Sequence, residues 1–288
     1  MLKYILAITA PIILLIGSSI GLAQTGGKME ENIPVATQWL LDAAGDTGRS
    51  AIKSVYLVVC TKTSQKGTGF LLRSGQVITN EHVIRGCQAA DIFGVSSFGE
   101  KVLFSKTSID STRDLAVLFP QKKLDGGLTL ISSDKSLSVG TAVSTWGFPL
   151  GYNGPAPLLS VGYLSGYKAE MKGNNSVKHL IVNGAFNPGN SGGPLFQATD
   201  NKVIGVVVSK HAPINQFQLS ALNALANNKS GVVFTATDEK GNQIQFVESQ
   251  LVADLLEYFK SLTQVMIGEA ISVSELRTFL NEQGIKEP

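Results

Sequence analysis

The sequence predicts an all-β protein assembled from small barrels. Short apolar runs, each about as long as one strand, recur between residues 51 and 237 and are separated by Gly, Asn and Asp turn residues, a spacing typical of barrels. Thirty glycines favour the same class over a helical body. With 288 residues, of which 43% are apolar, the chain can bury one large core or two small ones.

The composition argues against several kinds of partner. The formal net charge is only +2 and no long basic run is present, so the chain lacks the electrostatic footprint of a nucleic-acid-binding protein. The sequence contains no metal-ligand motif, phosphate-binding loop or cofactor fingerprint. The Gly-x-Gly of residues 67–69 does not qualify as a phosphate-binding loop, because no helix is expected to follow it. We therefore expect no cofactor, no bound metal and no nucleic-acid partner.

Residues 1–23 are predicted to be a secretory signal peptide. Lys3 precedes an apolar stretch over residues 5–16, and the small residue Ala23 favours cleavage directly after it. The alternative is an uncleaved anchor, since residues 4–23 come close to the ~20 apolar residues that cross a bilayer. The first interpretation predicts a periplasmic or secreted protein, and the second predicts an exported protein anchored to the membrane.

The remaining chain divides into four predicted regions. Residues 24–50 form a leader with a short helical pattern, and residues 51–130 and 131–247 form a first and a second β-barrel. Residues 248–288 are predicted to be helical, because apolar residues recur there at helical spacing and a capping-box sequence opens a second helix at Ser272. The predicted strands cover residues 55–60, 69–72, 76–79, 90–93, 101–105, 115–119, 142–146, 160–165, 179–182, 194–196, 202–210 and 232–237.

The most informative motif is the glycine-rich run of residues 186–195. It places Ser191 between glycines, two residues after Gly189. Because glycine allows unusual backbone conformations, the N–H groups of Gly189 and Ser191 can converge beside the Ser191 hydroxyl, as an oxyanion hole does beside a nucleophile. The same run would also suit a Gly/Pro-rich hairpin whose serine only bonds the turn. The motif alone leaves both interpretations open.

Two further runs supply partners for Ser191. His82 follows the apolar run of residues 77–79, and Asp114 directly precedes the apolar run of residues 115–118. The chain order His, Asp, Ser is one of three in which serine-protease triads occur. A serine hydroxyl needs a base within hydrogen-bond reach to become reactive, and His82 is the best candidate for that base.

With these motifs the chain resembles the trypsin-fold serine proteases, and within them the HtrA-like (DegP-like) bacterial branch. The resemblance covers residues 52–262, and the order and spacing of the motifs match. The matching segments are residues 79–83, 114–118, 146–151 and 189–195. The resemblance implies two six-stranded antiparallel β-barrels with the active site in the cleft between them. It also implies that His82 is the general base, Asp114 the orienting acid and Ser191 the nucleophile.

Competing residues have structural interpretations. The other two histidines, His179 and His211, are expected at surface or strand-pairing positions. Asp110 is the nearest competing acid, but no apolar strand follows it directly to bury it beside His82, so it is expected to start a turn.

The resemblance predicts a disulfide between the two cysteines. Trypsin-like proteases often bridge the neighbourhoods of Cys60, which ends a predicted strand, and Cys87, which lies five residues after His82. Closing that loop would stabilise the fold by about 3–4 kcal/mol on the chain-entropy estimate. The alternative is a pair of free buried cysteines, which the export signal disfavours.

Two departures from the digestive enzymes of this fold bear on activation and specificity. Asn190 stands where many of them have an aspartate that pairs with a new N-terminus, so we expect no such ion pair to switch this enzyme on. Ala185 stands where trypsin has its selective aspartate, which predicts a small or medium apolar residue before the cleaved bond; Lys210 and His211 leave an acidic residue as the alternative. The predicted substrate-binding residues are Ala185, Phe186, Val207, Val208 and Ser209.

The leading functional hypothesis is an exported serine endopeptidase that cleaves polypeptides through an acyl-enzyme, with envelope protein quality control as one setting. The alternative is a catalytically latent or silent protease-like protein that binds polypeptides as a chaperone does. The residues after 262 are too few for a PDZ domain, which needs ~80, so the resemblance is expected to stop at the protease body.

Overall fold

A computed structural model describes residues 33–135, 137–173, 175–200, 202–208, 216–237, 243–262 and 267–287. The predicted signal segment, residues 1–23, lies outside this part of the chain, as do Ser209, Lys210 and His211. Within the described ranges, no helix combines the length and the apolar character that crossing a membrane requires.

Most regular elements of the described chain are β-strands. The strands are β1 (Val55–Cys60), β2 (Gln65–Leu71), β3 (Val77–Thr79), β4 (Ile92–Ser96), β5 (Lys101–Asp110), β6 (Leu115–Pro120), β7 (Ala142–Gly147), β8 (Leu158–Lys172), β9 (Asn175–Asn183), β10 (Pro194–Gln197), β11 (Val203–Val208), β12 (Val233–Thr237), β13 (Gln243–Val247) and β14 (Gly268–Ser272). The helices are α1 (Val35–Ala43), α2 (Asp46–Ser54), α3 (Glu81–Ile84), α4 (Gln216–Asn227), α5 (Glu248–Leu262) and α6 (Val273–Glu282), with a short 3-10 helix at Ala89–Asp91.

Two closed six-stranded antiparallel barrels confirm the predicted fold class. The first has the strand order β1-β2-β3-β6-β5-β4, and the second has the order β10-β11-β14-β9-β8-β7. β-Branched and aromatic residues dominate strands such as β1 and β11, as expected for buried barrel strands. One continuous apolar cluster joins the barrels, with Phe70 and Leu115 from the first and Leu180 and Leu195 from the second. The loops of one barrel are therefore held at fixed positions relative to the other.

The second barrel departs from its predicted boundaries, residues 131–247. The predicted strand at 232–237 is present as β12, but among the described residues β12 pairs with β13, in a two-stranded sheet and not in the barrel. The sixth barrel strand is instead β14, in the region 248–288 that was expected to be helical. β14 runs between β11 and β9 with all five residues buried, so it lacks the alternation of buried and exposed residues that would reveal a strand.

A separate compact unit lies between β11 and β14 in the sequence. Its described elements are α4, the β12–β13 hairpin and α5, which is the first helix of the region 248–288 that was expected to be helical. The hairpin stacks Phe234 on Phe246, with ring centroids 6.0 Å apart. The Gln250 side-chain amide joins the two helices by donating to the Ala226 carbonyl at 3.3 Å.

The second predicted C-terminal helix is α6. Ser272 is its N-cap, and the Ser272 hydroxyl accepts the Ser274 backbone N–H, as the capping-box sequence predicts. Glu275 does not complete the box. Its carboxylate instead accepts the Lys178 backbone N–H at 3.0 Å and the Arg113 guanidinium at 3.2 Å. Because β9 carries Lys178 and the β5–β6 turn carries Arg113, Glu275 connects both barrels to α6.

Candidate active site

His82 and Asp114 are brought together by two neighbouring strands of the first barrel. His82 lies in α3 directly after β3, Asp114 directly precedes β6, and β3 pairs with β6. Asp114 Oδ2 lies 2.7 Å from His82 Nδ1, and Oδ1 accepts the His82 backbone N–H at 2.9 Å. Because an ionised carboxylate only accepts hydrogen bonds, this contact favours the tautomer with the proton on Nδ1 and a lone pair on Nε2.

The backbone at Asp114 has a conformation that is uncommon for residues other than glycine. Its φ is 55°, in the left-handed region. The Asp114 carbonyl accepts the Asn80 side-chain amide at 2.9 Å and the Glu81 backbone N–H at 3.3 Å. Such conformations persist only where the surrounding contacts fix them, and they concentrate at functional sites. The carboxylate is thus directed at His82 by both its side-chain and its backbone contacts.

Asp110, the competing acid, has a structural role. Its Oδ1 accepts the backbone N–H groups of Thr112 at 2.9 Å and Arg113 at 3.0 Å, and its Oδ2 pairs with the Arg113 guanidinium. Asp110 therefore caps the β5–β6 turn, as the sequence analysis expects.

The loop that carries Ser191 requires glycine at two positions. Gly189 and Gly192 have φ values of 98° and 85°. A Cβ atom on Gly189 would lie 2.3 Å from the Phe148 carbonyl, and one on Gly192 would lie 2.2 Å from the Thr68 carbonyl. Neither position has room for a side chain, and both have positive φ. The glycine-rich motif thus reflects close backbone packing around Ser191.

Backbone hydrogen bonds orient the peptide group that carries the Gly189 N–H. The Pro188 carbonyl accepts the Leu150 N–H at 2.7 Å. The described chain contains no cis peptide bond, and in a trans peptide the C=O and N–H groups point in opposite directions. The Gly189 N–H therefore points away from Leu150. On the following peptide, the Gly189 carbonyl accepts the Thr68 hydroxyl at 2.7 Å.

Asn190 is buried behind the same loop. Its side chain packs against the backbone of Gly147, where an added Cβ would lie 2.6 Å from Asn190 Oδ1. The backbone N–H of Asn190 donates to the Asn187 carbonyl, and its carbonyl accepts the Gly193 N–H. Packing against Gly147 thus holds the neutral Asn190 side chain, and local hydrogen bonds hold the Asn190 backbone.

The predicted substrate-binding residues differ in how far they are buried. Ala185 is half-buried, whereas Val207 is fully buried and its backbone pairs with Gly192 and Gly193. The Phe186 ring packs against Gly268, where an added Cβ would lie 2.4 Å from the ring. The sequence analysis missed Gly268, because β14 was not recognised as a strand. Val208 is buried at the end of β11.

Cys60 and Cys87 form the expected disulfide, with Cα atoms 6.1 Å apart. Cys60 ends β1, and Cys87 follows α3. The bridge therefore ties the helix that carries His82 to the first strand of its barrel.

His179 occupies a strand-pairing position in β9, one of the two positions expected for it, and its side chain is buried. Its Nδ1 lies 2.8 Å from Glu269 Oε1, although this contact is not aligned as a hydrogen bond, and its Nε2 lies 3.7 Å from Glu170 Oε2. The three side chains approach closely enough to hold a metal ion. The Lys168 ammonium lies 3.3 Å from Glu170 and 3.4 Å from Glu269, and Lys172 lies 2.7 Å from Glu170. Sequence reasoning missed this cluster because its members come from β8, β9 and β14.

Residues 67–206 match a family described as a trypsin-like peptidase domain. The matched stretch is similar to a trypsin-like peptidase domain and makes up just under half of the chain. This domain covers the segments that contain His82, Asp114 and Ser191, and the match confirms the resemblance to the trypsin-fold proteases.

The chain is also similar to individual proteins. It is 33% identical to the uncharacterized protein y4bJ of Sinorhizobium fredii over 57% of the chain and 24% of that protein. It is 35% identical to a probable periplasmic serine endoprotease DegP-like of Chlamydia muridarum over 49% of the chain and 27% of that protein. The chain thus spans about a quarter of the length of these curated relatives.

A solved structure shows the same fold. It is an inactive form of Rv3671c from M. tuberculosis H37Rv, a serine-to-alanine mutant, with a TM-score of 0.56 at 15% identity over 86% of this chain and 95% of that one. At this identity the similarity shows the fold alone.

Proposed function

We propose that the protein is a serine endopeptidase that hydrolyses peptide bonds of polypeptide substrates through an acyl-enzyme. The observation that carries the proposal is the 2.7 Å contact between His82 Nδ1 and Asp114 Oδ2. With the Nδ1 proton directed at Asp114, the Nε2 lone pair is left to accept a proton, which is what a general base for serine requires. The glycine-rich loop around Ser191 supplies the hydroxyl that such a base activates.

In the proposed mechanism, His82 Nε2 accepts the Ser191 hydroxyl proton as Ser191 Oγ attacks the scissile carbonyl carbon. Asp114 stabilises the resulting imidazolium without taking its proton. The N–H groups of Gly189 and Ser191 donate to the oxyanion of the tetrahedral intermediate. His82 then protonates the leaving amine as the C–N bond breaks. Water, with His82 again as the base, attacks the acyl-enzyme, the ester bond to Ser191 Oγ breaks, His82 returns the proton to Oγ, and the acid product leaves.

The proposed substrate preference is a small or medium apolar residue before the cleaved bond. Neither Ala185 nor Phe186 offers a carboxylate to bind arginine or lysine, and Phe186 presents an aromatic ring beside Gly268. Apolar contacts of this kind discriminate by size and not by charge.

The proposed location is outside the cytoplasmic membrane. The Chlamydia relative is described as periplasmic, and the Cys60–Cys87 disulfide fits an oxidising compartment. The signal-like residues 1–23 support the same location.

Digestion of a peptide library by the wild type and by Ser191→Ala, with products identified by mass spectrometry, tests the proposal. We expect internal cleavage after apolar residues by the wild type and a loss of about 10⁶-fold in kcat for Ser191→Ala, as for a removed nucleophile. Circular dichroism serves as the control for folding of the variant. Absence of cleavage by the wild type, or undiminished cleavage by Ser191→Ala, would contradict the proposal.

A further inference from the structure

Thr68 connects the first barrel to the loop that carries Ser191. It lies in β2 and is fully buried. Its backbone N–H donates to the Ser191 carbonyl at 2.8 Å. Its hydroxyl donates to the Gly189 carbonyl at 2.7 Å and accepts the Phe148 N–H at 3.0 Å. One side chain of the first barrel thus bonds two loops of the second.

Thr68 is itself held in place from inside the first barrel. Its carbonyl accepts the Thr79 hydroxyl at 2.7 Å. On either side of it, a Cβ on Gly67 would lie 2.6 Å from the Val83 side chain, and a Cβ on Gly69 would lie 2.8 Å from that of Val58. The two glycines therefore let β2 pack tightly against its neighbours. These contacts fix the position of the Thr68 hydroxyl.

The loop around Ser191 depends on such contacts from outside it. Gly189 has no Cβ to restrict its rotation, so hydrogen bonds must set the orientation of its peptide groups. The Pro188 carbonyl, bound by Leu150, fixes the peptide that carries the Gly189 N–H. The Gly189 carbonyl, bound by the Thr68 hydroxyl, fixes the next one. The neutral Asn190 side chain offers no charge for an N-terminal ion pair to do this instead.

We propose that Thr68 is a positioning residue that holds Gly189 in the orientation in which its N–H serves the oxyanion hole. This role rests on the proposed peptidase function. Thr68 is fully buried and acts through the groups that it bonds, which are the carbonyls of Gly189 and Ser191 and the Phe148 N–H. Its loss should therefore weaken stabilisation of the transition state more than binding of the ground state.

The test compares Thr68→Val, which removes the hydroxyl and keeps the shape, with Thr68→Ser, which keeps the hydroxyl. We expect Thr68→Val to lower kcat on a cleaved peptide by about 10²-fold, at the lower end of the effect of losing an oxyanion-hole donor. We expect KM to change by less than about 3-fold, and Thr68→Ser to keep kcat within about 5-fold of wild type. A peptide aldehyde, whose adduct places an oxyanion in the hole, should bind Thr68→Val about 10²-fold more weakly.

Thr37→Val is the matched control for the loss of a buried hydroxyl. Thr37 lies in α1, is fully buried, and donates to the Ser97 carbonyl at 2.8 Å. Its loss should reduce stability in urea without the drop in kcat. If Thr68→Val gives no cooperative unfolding transition, Thr68→Ala takes its place with the same expected loss of kcat.

The outcomes separate the role of Thr68 from the proposed function. Suppose that the wild type is active. If Thr68→Val then changes only KM, or has the same kcat as Thr37→Val, the proposed role of Thr68 is wrong and the peptidase function still stands. A loss in Thr68→Ser as large as in Thr68→Val would overturn the role as well. A wild type without any turnover would contradict the peptidase function, and the role of Thr68 with it.

Discussion

The two barrels contribute to the candidate site in different ways. The first supplies His82 and Asp114, which contact each other directly and are fixed by neighbouring strands of that barrel. The second supplies the loop around Ser191, whose carbonyls at 189 and 191 are bound by Thr68 of the first barrel. The contact between His82 and Asp114 is therefore made within one barrel, whereas the loop around Ser191 depends on both. The packing of the two barrels against each other is thus part of the site.

The largest loss of activity is expected on substitution of Asp114, which pairs with His82 within the first barrel. Asp114→Asn should lower kcat/KM about 10⁴-fold, because an amide cannot hold the His82 tautomer that leaves Nε2 free. Steady-state kinetics on a cleaved peptide measures the loss. Asp110→Asn is the matched control and should stay within about 10-fold, because the contacts of Asp110 are with Thr112 and Arg113 in the β5–β6 turn. The reverse order of the two losses would show that Asp114 is not the orienting acid.

Removal of the Cys60–Cys87 disulfide tests how much this bond stabilises the first barrel. Cys60→Ala combined with Cys87→Ala should lower the free energy of unfolding by about 3–4 kcal/mol, the chain-entropy value for a loop closed over 27 residues. Urea unfolding followed by fluorescence measures it, and the reduced wild type should lose the same amount. An unchanged midpoint would mean that the bridge adds nothing to the first barrel.

Asp134 makes the stability of the contact between the two barrels and α6 depend on pH, because it connects the segment between the barrels to α6. Burial raises the pKa of Asp134, but hydrogen bonds from Ser272, Lys178 and Ser274 outweigh it and lower the pKa overall. A carboxyl with a lowered folded pKa contributes stability that is present above its ordinary pKa of about 3.9 and is lost as pH falls through the folded value.

Asp134→Asn should therefore destabilise the protein by about 1–3 kcal/mol at pH 7. The difference from wild type should shrink at acidic pH, below about 4. Urea unfolding at pH 7 and pH 3.5 measures both values. Asp200→Asn, which removes an exposed ion pair with Lys202, is the control and should cost less than about 1 kcal/mol. A difference that grows on acidification would contradict the assignment.

The smallest effect is expected from the unit inserted between β11 and β14. Val208 and Glu269 are cross-strand partners, so the ends of β11 and β14 that flank the inserted segment lie side by side and a short linker can join them. Replacing residues 212–263 by a Gly/Ser linker should change the free energy of unfolding by about 1 kcal/mol, the loop-closure difference. Urea unfolding measures it. Failure of the shortened chain to fold would show that the second barrel depends on the insertion.

The strands of the first barrel could be predicted from the sequence better than those of the second. The first barrel was predictable because its strands follow one another closely and its two site residues stand in local motifs beside strands. Ser191 was recognisable from its glycines. The sixth strand of the second barrel was not, because the inserted unit offered β12 as a strand of the right pattern, whereas β14 has no alternation.

The support around the site was also hidden from the sequence. Thr68 and Gly189 are 121 residues apart in the chain, and no local pattern indicates that one binds the other. Gly268 and the cluster around His179 were missed for the same reason, because each depends on strands that pair only in the folded barrel. Local motifs thus indicated the candidate reacting groups, and only the tertiary structure showed which residues hold them.

Reaction of the folded protein with a fluorophosphonate, followed by peptide mapping of the adduct, tests the activated serine most directly. The account predicts one adduct, on the Ser191 side chain, absent from Ser191→Ala and formed far more slowly by Asp114→Asn. No adduct on folded wild-type protein, or an adduct on another serine, would contradict it.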